Sequence, residues 1–251
     1  MNRSLSLEEL LKWSPPYQDS LVGDLLYAGD KLLVYGRIKS MKSMLMTRLS
    51  IDLARGTEWI GFNTPKYGAT VLYLQLEVAQ HRFQQRVRIM VGEDPRTIQP
   101  LRLWTEHFLK LDSKEGLEVL KAEVDMVGPR VLIIDPLYKI MSGNMLSAYE
   151  VSKFTDGLDR LLSDHKGLSV ILVTHSRKAA RDSDPADWGS DELMGSVLLG
   201  GWADSVIQIQ RPEYDKLRVK FDALRHAREE MKAIDLVVDF RSLTFNHLIR
   251  I

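Results

Sequence analysis

The chain has 251 residues, 45% hydrophobic and 27% charged, an ordinary globular balance at a length that suits one large α/β domain. Thirty-four basic residues offset thirty-four acidic ones, so no whole-molecule field marks a nucleic-acid or membrane partner, and any such contact has to come from a local patch. The lack of cysteine excludes disulfides and thiolate chemistry, and with no membrane-length apolar run and no leader pattern at the N-terminus, a cytoplasmic protein without membrane contact is expected.

At the start, Leu5, Leu7, Leu10 and Leu11 fall at helical spacing before the break at Ser14-Pro15-Pro16. This predicts an N-terminal arm over residues 1–30, ahead of one domain over 31–251. From Lys31 onward, apolar strand-like runs at 32–35, 70–76, 101–104, 131–134 and 169–174 alternate with helical stretches at 42–55, 80–91, 114–127 and 148–165. Strands apolar on both faces and separated by helices argue for a mainly parallel central sheet flanked by helices. Past Trp202, closely spaced strands at 204–210, 216–222, 233–239 and 243–248 read as antiparallel hairpins. The expected fold class is therefore α/β with antiparallel strands at the C-terminal end.

The first strand leads into Gly36-Arg37-Ile38-Lys39-Ser40-Met41-Lys42-Ser43. This matches the phosphate-cradling pattern G-x-x-x-x-G-K-[ST] except at Met41, which stands where the second glycine belongs. A loop between strand and helix points backbone N–H groups into one hollow, and the helix N-terminus adds partial positive charge. Gly36, Arg37, Ile38, Lys39, Ser40, Met41, Lys42, Ser43 and Met44 are thus the expected nucleotide-binding set. Lys42 would reach the terminal phosphates, and the Ser43 hydroxyl would ligate Mg²⁺. A methionine at a position needing φ > 0 carries strain of about 1–3 kcal/mol. The loop is either a working one with a tolerated substitution or a weakened one.

Ligands bind beyond the carboxyl ends of parallel strands, so the residues just past each strand matter: Glu77, Asp135 and His175. Asp135 before Pro136 would alone read as a turn former, but beside the loop at Gly36 it reads as the carboxylate that helps hold Mg²⁺. Glu77 is either the general base that activates water or a helix-start carboxylate. His175 is either a phosphate sensor or a satisfied buried histidine.

Together these residues resemble the RecA-like P-loop ATPases of the RepA-type and DnaB-like hexameric helicase group. The resemblance runs from about Leu21 to Phe245. It is carried by Leu21-Val22-Gly23, the Lys39–Ser43 run, Val71 to Glu77 with Arg82, Gln85 and Arg86, Val131 to Pro136, Val173 to Lys178, and Gly195-Ser196 with Ala203-Asp204. It implies a RecA-like fold with ATP and Mg²⁺ bound between subunits of a homo-oligomer, a hexameric ring. It also implies Lys42, Glu77 and His175 as catalytic groups, Ser43 and Asp135 on the metal side, and Arg225 of Leu224-Arg225-His226-Ala227 as an arginine finger. Ala223 departs from the family pattern, which has a lysine there.

Single-stranded DNA would meet loops 138–149, with Lys139, and 176–196, with Arg177, Lys178 and Arg181. The second loop also carries Asp182, Asp184, Asp187, Asp191 and Glu192, so its cations cluster only at its start. The leading reading is a Mg²⁺-dependent ATPase acting on DNA in replication or repair, of helicase or recombinase type. The alternative is a nucleotide-dependent assembly module with little hydrolysis, supported by Met41 and Ala223. A small-molecule kinase is a third reading, disfavoured by the lack of an arginine-rich lid insert.

Overall fold

The computed structural model describes residues 4–14, 18–176, 197–226 and 230–248. The first helix, α1 (Leu7–Lys12), is closed by a capping box between Ser6 and Glu9 and buries none of its residues. A small hairpin of β1 (Ser20–Val22) and β2 (Leu26–Tyr27) follows. Then come β3 (Lys31–Gly36), α2 (Lys42–Arg55), β4 (Val71–Gln75), α3 (Gln80–Val91), β5 (Leu101–Thr105), α4 (Lys114–Val127) and β6 (Val131–Asp135). The short α5 (Leu137–Ile140), α6 (Ala148–Asp164), β7 (Ser169–His175) and α7 (Val197–Trp202) precede four strands, β8 (Ser205–Glu213), β9 (Lys216–Leu224), β10 (Ile234–Asp239) and β11 (Thr244–His247).

The main sheet has nine strands in the order β11-β10-β9-β8-β3-β7-β6-β4-β5. From β8 to β5 every neighbour pair is parallel, while β8 to β11 pair antiparallel. The predicted alternation and its switch past Trp202 are both present. Strand side chains alternate between two cores, as a period of two requires. Leu32, Val34, Val71, Tyr73, Ile133 and Val173 face α2 and α3, whereas Leu33, Tyr35, Leu72, Ile134 and Leu172 face α4 and α6. Such two-sided burial is why these runs read as continuously apolar.

The domain boundary moves. Leu21, Val22, Leu25 and Leu26 are fully buried in the core that holds Leu32 and Leu45, so residues 20–27 belong to the domain rather than to an arm ending at residue 30. Their apolar spacing is too short to show periodicity. Leu5, Leu7, Leu10 and Leu11 are exposed, while Pro15 and Pro16 lie outside the described residues.

Gly36 closes β3 at the tightest approach in the sheet. A Cβ there would lie 2.2 Å from the Ile209 carbonyl oxygen of β8 and 3.0 Å from Ser40 Oγ. The glycine lets the loop leave the sheet directly above β8. Among the described residues no helix is long and apolar enough to cross a membrane.

Candidate active site

The parallel register brings the predicted groups to one sheet edge. Gly36 pairs with His175 across β3 and β7, and Gln75 with Asp135 across β4 and β6. The first helical turn of α2 begins directly above that edge.

Lys42 is only 4% exposed. Its ammonium donates to the carbonyls of Gly36 and Arg37 (both 2.8 Å) and lies 3.3 Å from Ser40 Oγ and 3.2 Å from His175 Nδ1. Burial lowers its pKa to about 8, against the opposing attraction of Asp135 and Glu77. Burial, and then the Lys42 charge, also lower the pKa of His175. A neutral imidazole with its Nδ1 lone pair toward Lys42 satisfies both groups. The His175 ring packs on Tyr138 with centroids 5.4 Å apart.

The Ser43 hydroxyl donates to Asp135 Oδ1 at 3.1 Å, and Tyr73 donates to Oδ2 at 2.6 Å. Asp135 is 1% exposed, and its pKa is raised by burial despite these two donors and Lys42. Hard oxygen donors around one carboxylate suit Mg²⁺, which takes few protein ligands and completes its shell with water and phosphate. Glu77 lies just past β4 and is exposed. It faces the Tyr138 hydroxyl, whose pKa is pushed up to about 12 by burial and then by the Glu77 charge and hydrogen bond.

Arg37, Ile38 and Lys39 form the exposed tip of the loop, while Ser40, Met41 and Lys42 are buried at its base. Met41 has φ 67° and ψ 17°, the left-handed conformation that a glycine adopts freely. Its side chain is 9% exposed and belongs to the core with Leu45 and Leu49. Met44 packs against the same core. Strain and packing thus coexist at one residue, and the backbone holds the glycine-like shape without the glycine.

Arg225 is far from this cluster. Its backbone N–H donates to Asp204 O at 2.9 Å, and Asp204 N donates to Lys31 O at 2.8 Å, which places it beside the first residue of β3. Gly36 is five strand residues further on, about 17 Å away. The guanidinium pairs with Asp204 (3.0 Å) and the Gly201 carbonyl (2.8 Å). In the long-loop candidate 138–149, α5 buries Leu137 and Ile140, and Tyr138 turns toward the site. Lys139 Nζ lies 5.5 Å from the Tyr138 ring. Arg177, Lys178, Arg181 and the rest of 177–196 lie outside the described residues, as does Ala227.

Several groups at the site were not read from the sequence: Tyr73, Tyr138 and Arg211. Tyr73 could have been found, because alternation puts it on the face of β4 that meets α2. Arg211 donates to Lys39 O at 3.3 Å and lies over the Tyr214 ring at 4.9 Å. It lines a cleft of about 380 Å³ between the loop and β8, with Gln208, Gln210 and Ser176. No local signal marks a contact spanning so many residues.

Residues 2–181 match the family model described as AAA domain. Among solved structures, the fold is similar to that of a helicase-type ATPase domain, with a TM-score of 0.69 and 11% identity over 89% of this chain and 86% of that one. A DnaB-like replicative helicase, solved with its interactions with primase, gives 0.68 and 11% over 88% of this chain and 59% of the helicase. The RadB recombinase gives 0.59 and 16% over 88% and 92%. No curated protein matches the chain. The fold is that of the RecA-like P-loop ATPase domains.

Two outcomes follow from this geometry. Met41→Gly removes strain of about 1–3 kcal/mol but also a buried side chain whose truncation costs about 2–5 kcal/mol. Packing therefore wins: melting temperature should fall by several degrees while ADP affinity stays within about threefold. Affinity tightened tenfold would show that strain dominates. The ammonium form of Lys42 is the one that attracts phosphate, so ADP affinity should hold below pH 7 and weaken by about tenfold by pH 9, one unit past its pKa. Calorimetry at pH 7, 8 and 9 checks this, and a flat profile would remove Lys42 from phosphate binding.

Proposed function

The chain belongs to the AAA domain family, and from that premise we propose that it is a Mg²⁺-dependent ATPase acting on DNA, of helicase or recombinase type, with its ATP held between copies in a ring. The observation that carries this reading is the buried Lys42 ammonium resting on Gly36 O, Arg37 O and His175 Nδ1, beside a Ser43 and Asp135 pair. A cation held on weak carbonyl partners is set to exchange them for phosphate oxygens, with which it makes stronger charge-assisted bonds.

Ser43 and Asp135 would hold Mg²⁺, which neutralises charge on the phosphates. Glu77 accepts the proton of the attacking water. His175, in contact with Lys42, registers whether a terminal phosphate is present. The cleft along Gln208 to Arg211 gives the nucleoside a place beside the loop. Arg225, at the opposite end of β3, can reach only a neighbouring copy's site, which accords with a finger acting in trans and with six subunits in a ring. DNA contact rests on Lys139 in loop 138–149 and on the cations that open loop 176–196. The helicase and recombinase among the structural neighbours support either form of DNA work.

One observation favours a module that binds ATP to assemble and hydrolyses little. Within a single chain Arg225 is tied to Asp204 and Gly201, so a finger must first be released. Turnover measured with and without single-stranded DNA separates the readings. ATP hydrolysis stimulated by DNA is expected, and Lys42→Ala should abolish it together with nucleotide binding. Binding and assembly without turnover would favour the module.

Glu77→Gln should keep ATP binding and slow hydrolysis by about 10²-fold or more. Arg225→Ala should leave binding intact and suppress turnover, where arginine fingers contribute roughly 10³–10⁵ in rate. Mixing the two variants restores some interfaces that pair an intact Glu77 with an intact Arg225, so activity should partly return. Proven subunit exchange with no recovery would rule out a shared site.

A further inference from the structure

Tyr73 sits in the middle of β4, fully buried, where a phenol needs a reason to be. Burial drives its pKa well up, with the Asp135 charge adding to the effect, so at any ordinary pH the hydroxyl keeps its proton and acts as a donor. It donates to Asp135 Oδ2 at 2.6 Å and lies 3.4 Å from the Ser43 carbonyl. The same carbonyl accepts from Thr47 Oγ1 at 2.7 Å. The ring is fixed by stacking on Phe83 of α3, with centroids 5.7 Å apart and planes at 30°. One side chain thus ties together the turn carrying Ser43, the strand carrying Asp135 and the helix that follows Glu77.

We propose that Tyr73 is a positioning residue for the metal-side carboxylate: its hydroxyl holds Asp135 Oδ2, so that Oδ1 is presented to Ser43. This rests on the nucleotide-site reading above and deepens it. A carboxylate with two free oxygens rotates about its last torsion, which is broad and two-fold. With Oδ2 engaged by a rigid phenol, only Oδ1 remains for a cation shared with Ser43. Outer partners that orient a ligand in this way typically govern 10–100-fold in metal affinity.

The test compares ADP affinity in EDTA with that in Mg²⁺, for the full chain and for Tyr73→Phe, which keeps the ring and its stacking on Phe83. In EDTA the two proteins should bind ADP within about twofold. The tightening that Mg²⁺ gives the wild type should shrink by about tenfold or more in the variant, and the Mn²⁺ EPR signal of the ADP complex should broaden. An undiminished Mg²⁺ gain in Tyr73→Phe, with the wild type showing one, overturns the positioning role alone. A wild type that binds ADP no better with Mg²⁺ overturns the nucleotide-site reading along with it. Should the variant fail to fold, 3-fluorotyrosine placed at position 73 keeps the native shape. Its fluorine resonance should shift on adding Mg²⁺ to the ADP complex, and a resonance indifferent to Mg²⁺ refutes the proposal.

Discussion

Burial of the Lys42 ammonium is the constraint around which this edge of the molecule is arranged. A cation removed from water needs partners on every proton, and the chain supplies them from three places: Gly36 and Arg37 carbonyls from the loop itself, Ser40 Oγ from its base, and His175 from the neighbouring strand. Each supplier is in turn fixed. Gly36 is pinned against β8 by a contact no Cβ could share, and Ser176 N–H donates to its carbonyl at 3.0 Å. His175 is held by parallel pairing with β3 and by the Tyr138 ring. The site is therefore built into the register of the sheet.

The same register explains why the remaining groups are where they are. Parallel strands all end on one side, so the residues that follow β3, β4, β6 and β7 converge. Antiparallel return strands do the reverse: β9 runs back along β8 and delivers Arg225 to the start of β3. A single chain thus carries an acceptor site at one end of its sheet and a charged donor at the other. Head-to-tail association of copies would join them, and such contacts form rings when the rotation closes.

Much of this was legible in the sequence because it rests on local rules. The apolar runs, the helix limits near residues 42–55, 80–91 and 114–127, and the switch to hairpins past Trp202 follow from periodicity and from stops such as Gly56 and Gly128, both in the left-handed conformation. Glu77, Asp135 and His175 were found because strand ends can be located without knowing the packing. Burial of residues 20–27 was not legible, since two short strands carry no period. The contacts of Arg211 with Lys39 and of Tyr73 with Asp135 depend on which strands become neighbours, and only the assembled sheet decides that.

Met41 shows how a departure from a motif can leave its geometry intact. Glycine at this position serves backbone freedom, and the left-handed turn it permits is retained here with φ 67°. What changes is the source of stability. A glycine adopts the turn at no conformational cost but contributes nothing to the core. The methionine bears the strain and offsets it by filling space among Leu45, Leu49 and Val34, where an unbranched thioether adapts to an irregular gap. Because the loop is anchored on both sides, by Gly36 at β8 and by Met41 in the core, the hollow between them keeps its shape. The motif's missing glycine is thus evidence about packing beneath the loop, while the chemistry above it depends on Lys42, Ser43 and Asp135.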